Sequence, residues 1–188
     1  IALLESAVSI MDDCVSRCES WILSRPVPTL IATVARFMDS FGEILCELYQ
    51  LTGDTKTLNR TVEVYEGAAN NYRKVNLPSR AAESYWKMAR SQDRLGKHFK
   101  AAENFDTAFA EYRAAAQKIP HFADFYLDYA TYMKAWSEIE RAKLSHDRED
   151  YDDAMKHYER IATILKPSRL WSYMSSDFLA WALLEQAE

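Results

Sequence analysis

Residues 79–120 read SRAAESYWKMARSQDRLGKHFKAAENFDTAFAEYRAAAQKIP, and this stretch indicates the architecture of the whole chain. Its apolar spacing predicts an amphipathic helix over residues 79–95, a turn at Gly96-Lys97 and a second helix over residues 98–119. Pro120 then ends the second helix, because proline cannot continue a helical hydrogen-bond ladder. The pattern returns on both sides of the stretch, so this helical hairpin is predicted to be one link of a stack.

The composition favours an all-helical chain. Hydrophobic residues make up 48% and aromatic residues 13% of the 188 residues, which is ample material for a core. Only 4 glycines and 5 prolines occur, too few to separate many short strands. The formal net charge of −5 argues against a nucleic-acid-binding surface.

The same sequence suggests where the chain resides. No apolar run approaches the roughly 18–20 residues that a membrane span needs, so a soluble chain without membrane insertion is expected. Cys14, Cys18 and Cys46 form an odd set without a disulfide framework, which is typical of reduced thiols in the cytoplasm. Because the first residue is Ile rather than Met, the chain is interpreted as a segment of a larger protein.

Breakers and hydrophobic periodicity together predict eight helices in one repeat domain over residues 1–188. Their connections are a few residues long, which favours antiparallel neighbours. The predicted helices cover residues 1–23, 30–51, 55–74, 79–95, 98–119, 122–144, 149–165 and 168–187.

Three of these helices share one register of side chains at spacings of three, four and three residues. A small residue in the second slot allows a partner helix to approach, and an aromatic ring in the third slot fills the space between hairpins. The three sets are Leu58, Thr61, Tyr65, Ala68; His98, Ala101, Phe105, Ala108; and Tyr151, Ala154, Tyr158, Ile161.

These residues resemble the tetratricopeptide-repeat family, whose hairpins carry a turn glycine followed by an aromatic, alanine, aromatic and alanine pattern. The best local match is the run 150–154, with Tyr158 and the closing Pro167. The longer helices are more similar to the SNAP-type branch of vesicle-fusion adaptors. The resemblance implies an all-α fold, a right-handed α-solenoid of antiparallel helical hairpins with about eight helices.

The resemblance also implies that the first helix of each hairpin lines a concave face that binds protein segments. Trp and Arg are frequent anchors in such interfaces, and basic side chains suit an acidic peptide. The alternative is that Arg90 and Arg94 are simply solvated and that the tryptophans belong to the core. The candidate partner-binding residues are Trp86, Lys87, Arg90, Arg94, Tyr132 and Trp136.

The function expected from these patterns is that of an interaction scaffold or a sensor and regulatory module of a larger multidomain protein. A SNAP-like vesicle-trafficking adaptor is a second hypothesis. A metal-dependent or hydrolytic enzyme on a helical bundle is a third, with His146 and His157 as its candidate ligands. No motif for catalysis or for a cofactor is found, so no enzyme activity, metal or cofactor is expected.

The predicted last helix carries Trp181, Leu183 and Leu184, which make it unusually apolar for the end of a solenoid. Two explanations remain open. Either further repeats follow in the native protein, or this helix packs against a partner or a second copy of the chain.

Overall fold

The computed structural model describes residues 2–187, and every regular element in that range is helical, with no strand. Short 3-10 turns precede the sixth and eighth helices. The α-helices are α1 (Ala2–Ser24), α2 (Pro28–Thr52), α3 (Thr55–Lys74), α4 (Pro78–Arg94), α5 (His98–Lys118), α6 (Ala123–His146), α7 (Tyr151–Leu165) and α8 (Ser175–Glu185).

The all-helical class and the number of helices agree with the prediction, and seven helices have bounds close to those expected. The eighth differs, because α8 begins at Ser175 rather than at residue 168. Ser168 accounts for the difference. Its hydroxyl donates to Asp128 at 2.8 Å and accepts the Trp171 backbone N–H at 3.2 Å, which holds the chain in a turn instead of a helix.

Two of the helices begin with a proline residue. Pro28 and Pro78 lie in the first turns of α2 and α4, where a missing N–H costs nothing because the first backbone donors have no partner inside the helix. The opposite ends use glycine. Gly53 and Gly96 have φ values of 65° and 68° after α2 and α4, which is a left-handed conformation that glycine adopts readily.

The helices pack in chain order, each against the next, and side chains also link alternate helices. Asp39 of α2 accepts a hydrogen bond from Ser84 of α4 at 2.8 Å. Arg73 of α3 reaches Glu111 of α5 at 3.0 Å. A helix therefore contacts both its nearest and its second neighbour along the chain.

The shared register predicted for α3, α5 and α7 lies in the core. The small residues of its second slot, Thr61, Ala101 and Ala154, have no solvent exposure. In the third slot, Tyr65 and Phe105 are buried and Tyr158 is half-buried. Because small and large side chains alternate there, neighbouring helices come close without leaving voids.

Helices α2 and α3 approach closely at Gly42 of α2. A Cβ atom at this position would lie 2.5 Å from a ring carbon of Tyr65 on α3. The absence of a side chain at Gly42 is therefore what admits the Tyr65 ring.

The first and last helices expose apolar side chains to solvent. On α8, Trp181 is 52% and Leu183 is 67% exposed. No helix within residues 2–187 is both long enough and apolar enough to cross a membrane.

Candidate interaction site between α4 and α6

A row of aromatic side chains follows one side of α6. Apart from an adjacent pair at the start of the row, they recur every three or four residues and therefore share one side of the helix. Most of these rings are half-buried, and they contact rings from α4, from α5 and from the segment before α8. The row consists of Phe125, Tyr126, Tyr129, Tyr132 and Trp136.

The N-terminal part of this row forms one wall of a groove of about 310 Å³. The opposite wall is the N-terminal half of α4, and Tyr112 of α5 lies between the two walls. Five of the lining residues are aromatic, and two carry opposite charges. The groove is lined by Ser79, Arg80, Glu83, Trp86, Tyr112, Phe125, Tyr126 and Tyr129.

Trp86, one of the predicted binding residues, lies in this groove. Its indole meets the Tyr129 ring edge-on, with centroids 6.4 Å apart, and meets Tyr132 in the same way at 6.4 Å. Phe125 packs on Tyr129 at 4.8 Å. These contacts hold the rings in fixed orientations, so the groove is formed before any partner arrives.

The two predicted residues of α6 lie outside the groove lining. Tyr132 stacks on Trp171 with centroids 4.2 Å apart, and Trp136 stacks on Phe105 at 5.8 Å. The indole N–H groups of Trp136 and Trp171 are buried and have no acceptor within residues 2–187. Tyr132 and Trp136 therefore support the groove from behind as part of one core cluster, and Trp136 also packs against the core between α6 and α7.

The predicted basic stripe on α4 divides into two parts. Lys87 is held by Glu43 at 2.9 Å and by Glu83 at 3.4 Å. Burial opposes its charge, but the hydrogen bond to Glu43 and the nearby carboxylates raise the pKa of Lys87. Arg90 and Arg94 are exposed, and no ion pair or hydrogen bond within the described residues involves their side chains.

The groove itself carries no net charge. Arg80 and Glu83 form an ion pair at 3.0 Å, one turn apart on α4. Burial raises the pKa of Tyr112, and the adjacent Glu83 carboxylate adds to the effect, so this phenol stays neutral. The aromatic floor and walls are therefore flanked by charges that already neutralise each other.

Away from the groove, a polar cluster lies near the C-terminal end of α4. Asp93, His98 and Glu140 come from three helices, and one potential ligand atom from each lies within 4.8 Å of the others. The Lys143 ammonium bonds to Asp93 at 2.7 Å and to Glu140 at 2.8 Å. A lysine side chain thus already serves as the cation between these carboxylates, and a metal ion would have to displace it.

The structure pairs the two histidines of the enzyme hypothesis with different carboxylates. The Nδ1 atom of His146 lies 3.0 Å from Glu185, and that of His157 lies 2.7 Å from Glu138. Both contacts join α6 to a later helix, which is an arrangement that stabilises helix packing.

Sequence reasoning does not single out several of the groove residues. No role is assigned there to Phe125, Tyr129, Arg80, Glu83 or Tyr112. The signal that points to the groove is the density of rings between residues 122 and 136. A core needs apolar bulk but not so many Tyr and Trp side chains, which are typical of binding surfaces.

No protein-family model matches this chain, and no curated protein matches it either. The basis for a functional proposal is therefore the fold together with the geometry of the groove.

Proposed function

We propose that this chain is a protein-interaction module that binds a segment of a partner across the face formed by α4 and α6. The proposal includes the finer architecture, a right-handed, tetratricopeptide-like stack of antiparallel hairpins whose concave side carries α4 and α6. The observation that carries it is the preformed groove with five aromatic side chains. Aromatic anchors in a desolvated pocket contribute most of the free energy in many protein interfaces.

The charge next to the groove favours a partner with acidic residues. Arg90 and Arg94 follow Trp86 on α4 at one and two further turns, and both guanidinium groups are exposed without a carboxylate partner in the described chain. A guanidinium group binds a carboxylate through two parallel hydrogen bonds. Acidic side chains of the partner would therefore lie along the C-terminal half of α4.

We place this module in a larger cytoplasmic protein, as a scaffold or a sensor element. All three cysteines are free thiols, which fits a reducing compartment. Binding would be non-covalent, with recognition as the only role of the groove.

Selection from a phage-displayed random peptide library tests the proposal. We expect enriched peptides to bind the wild-type chain and to lose at least about tenfold in affinity with Trp86→Ala, because truncation of a central aromatic anchor costs more than about 1.4 kcal/mol. Trp21→Ala is the matched control, since Trp21 is 63% exposed and lies on α1, outside the groove.

The same selection tests the charge preference. Enriched peptides should contain more Asp and Glu than the input library, and the double variant Arg90→Glu, Arg94→Glu should abolish that preference. Failure to enrich any peptide, or equal binding by wild type and Trp86→Ala, would reject the proposed function.

A further inference from the structure

We propose that the groove between α4 and α6 binds an uncharged, proline-rich segment in the polyproline II conformation. This inference rests on the proposed function, because it specifies the chemistry of the partner segment that enters the groove. Three properties of the groove point to it: the arrangement of the rings, the unpaired hydrogen-bond donors and the neutralised charges.

The rings are arranged to hold a stiff, extended ligand. Trp86 on α4 faces Phe125 and Tyr129 on α6, and Tyr112 closes the space between them. Polyproline II is a left-handed helix with about three residues per turn and no internal hydrogen bonds. Its proline rings pack on aromatic side chains, and it loses little conformational entropy on binding because it is already extended.

Several hydrogen-bond donors of the groove have no partner within the described residues. The indole N–H of Trp86 and the hydroxyls of Tyr126 and Tyr129 make no hydrogen bond with any residue between 2 and 187. The carboxylate of Glu83 is already bound by Arg80 and Lys87. Proline residues bring carbonyl acceptors but no N–H donors. A proline-rich backbone therefore offers carbonyl acceptors to these donors and brings few N–H groups that need an acceptor in return.

The charges of the groove do not favour a charged occupant. The Arg80 guanidinium and the Glu83 carboxylate lie 3.0 Å apart on the same wall and neutralise each other, so neither is left free to pair with a charged side chain between the rings. An uncharged segment leaves their ion pair intact. Acidic residues of the partner would then follow the prolines, beside Arg90 and Arg94.

The test is a titration of ¹⁵N-labelled full chain with a capped oligoproline peptide about nine residues long, about three turns of polyproline II. We expect saturable shifts of the Trp86 indole resonance, which Trp86→Phe assigns. A Gly-Ser peptide of equal length should cause no such shift, because it is flexible and has no rings to pack.

Two variants separate ring packing from hydrogen bonding. Trp86→Ala should weaken oligoproline binding at least about tenfold. Tyr129→Phe keeps the ring and removes only the hydroxyl, so it should weaken binding by about three- to tenfold without disturbing the fold. Tyr173→Phe is the matched control, since Tyr173 is 69% exposed outside the groove, and it should leave affinity unchanged.

Each remaining outcome overturns the inference. Oligoproline binding that is absent, that equals Gly-Ser binding or that survives Trp86→Ala shows that the groove does not recognise polyproline II. If library peptides still bind in a Trp86-dependent way, only the proline assignment fails and the proposed function stands. If neither probe binds, both proposals fail.

Discussion

The Nδ1 atom of His98 lies 2.8 Å from the Oε2 atom of Glu140, a carboxylate with no solvent exposure. The contact joins the first residue of α5 to the C-terminal half of α6. Lys143 bonds to the other oxygen of Glu140 and also to Asp93 of α4, so one buried carboxylate ties three helices together. His98, which occupies the first slot of the shared register, is thus held by a polar contact rather than by apolar packing.

Removal of the Lys143 charge should destabilise the chain. Lys143→Met leaves the carboxylates of Glu140 and Asp93 close together without the ammonium group between them, and an unbalanced buried carboxylate is costly. We expect a loss of about 2–4 kcal/mol in the free energy of unfolding, measured with urea at pH 7.

Arg17→Met is the control for that experiment. Arg17 forms an ion pair with Asp13 on α1, but both side chains are mostly exposed. Surface pairs contribute about 0–1 kcal/mol, so this variant should change stability little. If both variants cost the same, the Lys143 cluster does not stabilise the helix packing.

Glu138 should make stability fall in acid. The hydrogen bond from His157, aided by Lys134 and Arg141, lowers the pKa of Glu138 from 4.5 to about 2. Because the folded state holds this carboxylate ionised, its contribution is complete above about pH 4.5 and is lost as the pH falls towards 2. The contribution at neutral pH is on the order of 3–4 kcal/mol, from about 1.4 kcal/mol per pKa unit.

The measurement compares wild type with Glu138→Gln in urea at several pH values between about 2.5 and 7. The difference in unfolding free energy should be constant above about pH 5 and should shrink below it. A difference that does not depend on pH would mean that Glu138 acts through packing alone.

Asp39 should show the opposite pH dependence. Burial raises the pKa of Asp39 above 3.8, although the hydrogen bond from Ser84 and the charge of Lys87 oppose the rise. The folded state therefore binds this proton more tightly than the unfolded state, and stability falls as the pH rises through the raised pKa. Asp39→Asn keeps an acceptor for Ser84 and removes the buried charge.

We expect Asp39→Asn to stabilise the fold at pH 7 by about 0.5–1 kcal/mol. The gain should disappear below about pH 3.8, where aspartate is protonated in both states. Thermal unfolding at pH 7 and pH 3 measures both values. A loss of stability at pH 7 would show that the carboxylate is needed by Ser84 or Lys87.

Two glycine substitutions should differ although both add one methyl group to a helix. At Gly42 the new Cβ would lie 2.5 Å from the buried Tyr65 ring, which cannot move without displacing the α2–α3 contact. At Gly67 it would meet the terminal methyl of Met38 at 2.8 Å, and this flexible side chain can turn away.

We expect Gly42→Ala to cost about 2 kcal/mol through overpacking. Gly67→Ala should stay within about 1 kcal/mol of wild type, because the helix propensity of alanine offsets the rearrangement of Met38. Urea unfolding of both variants measures the difference. Equal costs would show that the Tyr65 ring adjusts as readily as Met38.

The residues of the candidate site are harder to predict than the helices. Trp86 is identifiable because it is an aromatic residue on the helix assigned to a binding face, and it lines the groove. Tyr132 and Trp136 satisfy the same rule and lie behind the groove instead. Helical spacing shows which face of a helix a side chain occupies. It does not show how deeply a neighbouring helix buries that side chain.

The order of residues along the chain is enough to predict the all-helical class and most helix bounds, because breakers, turn glycines and apolar periodicity act within a few residues. Only the packed helices reveal that Lys143 bonds to Asp93, that Ser168 delays α8 by bonding to Asp128 and that Tyr112 and Trp86 line the same groove. These contacts join residues far apart in the chain, and their geometry depends on how closely whole helices approach.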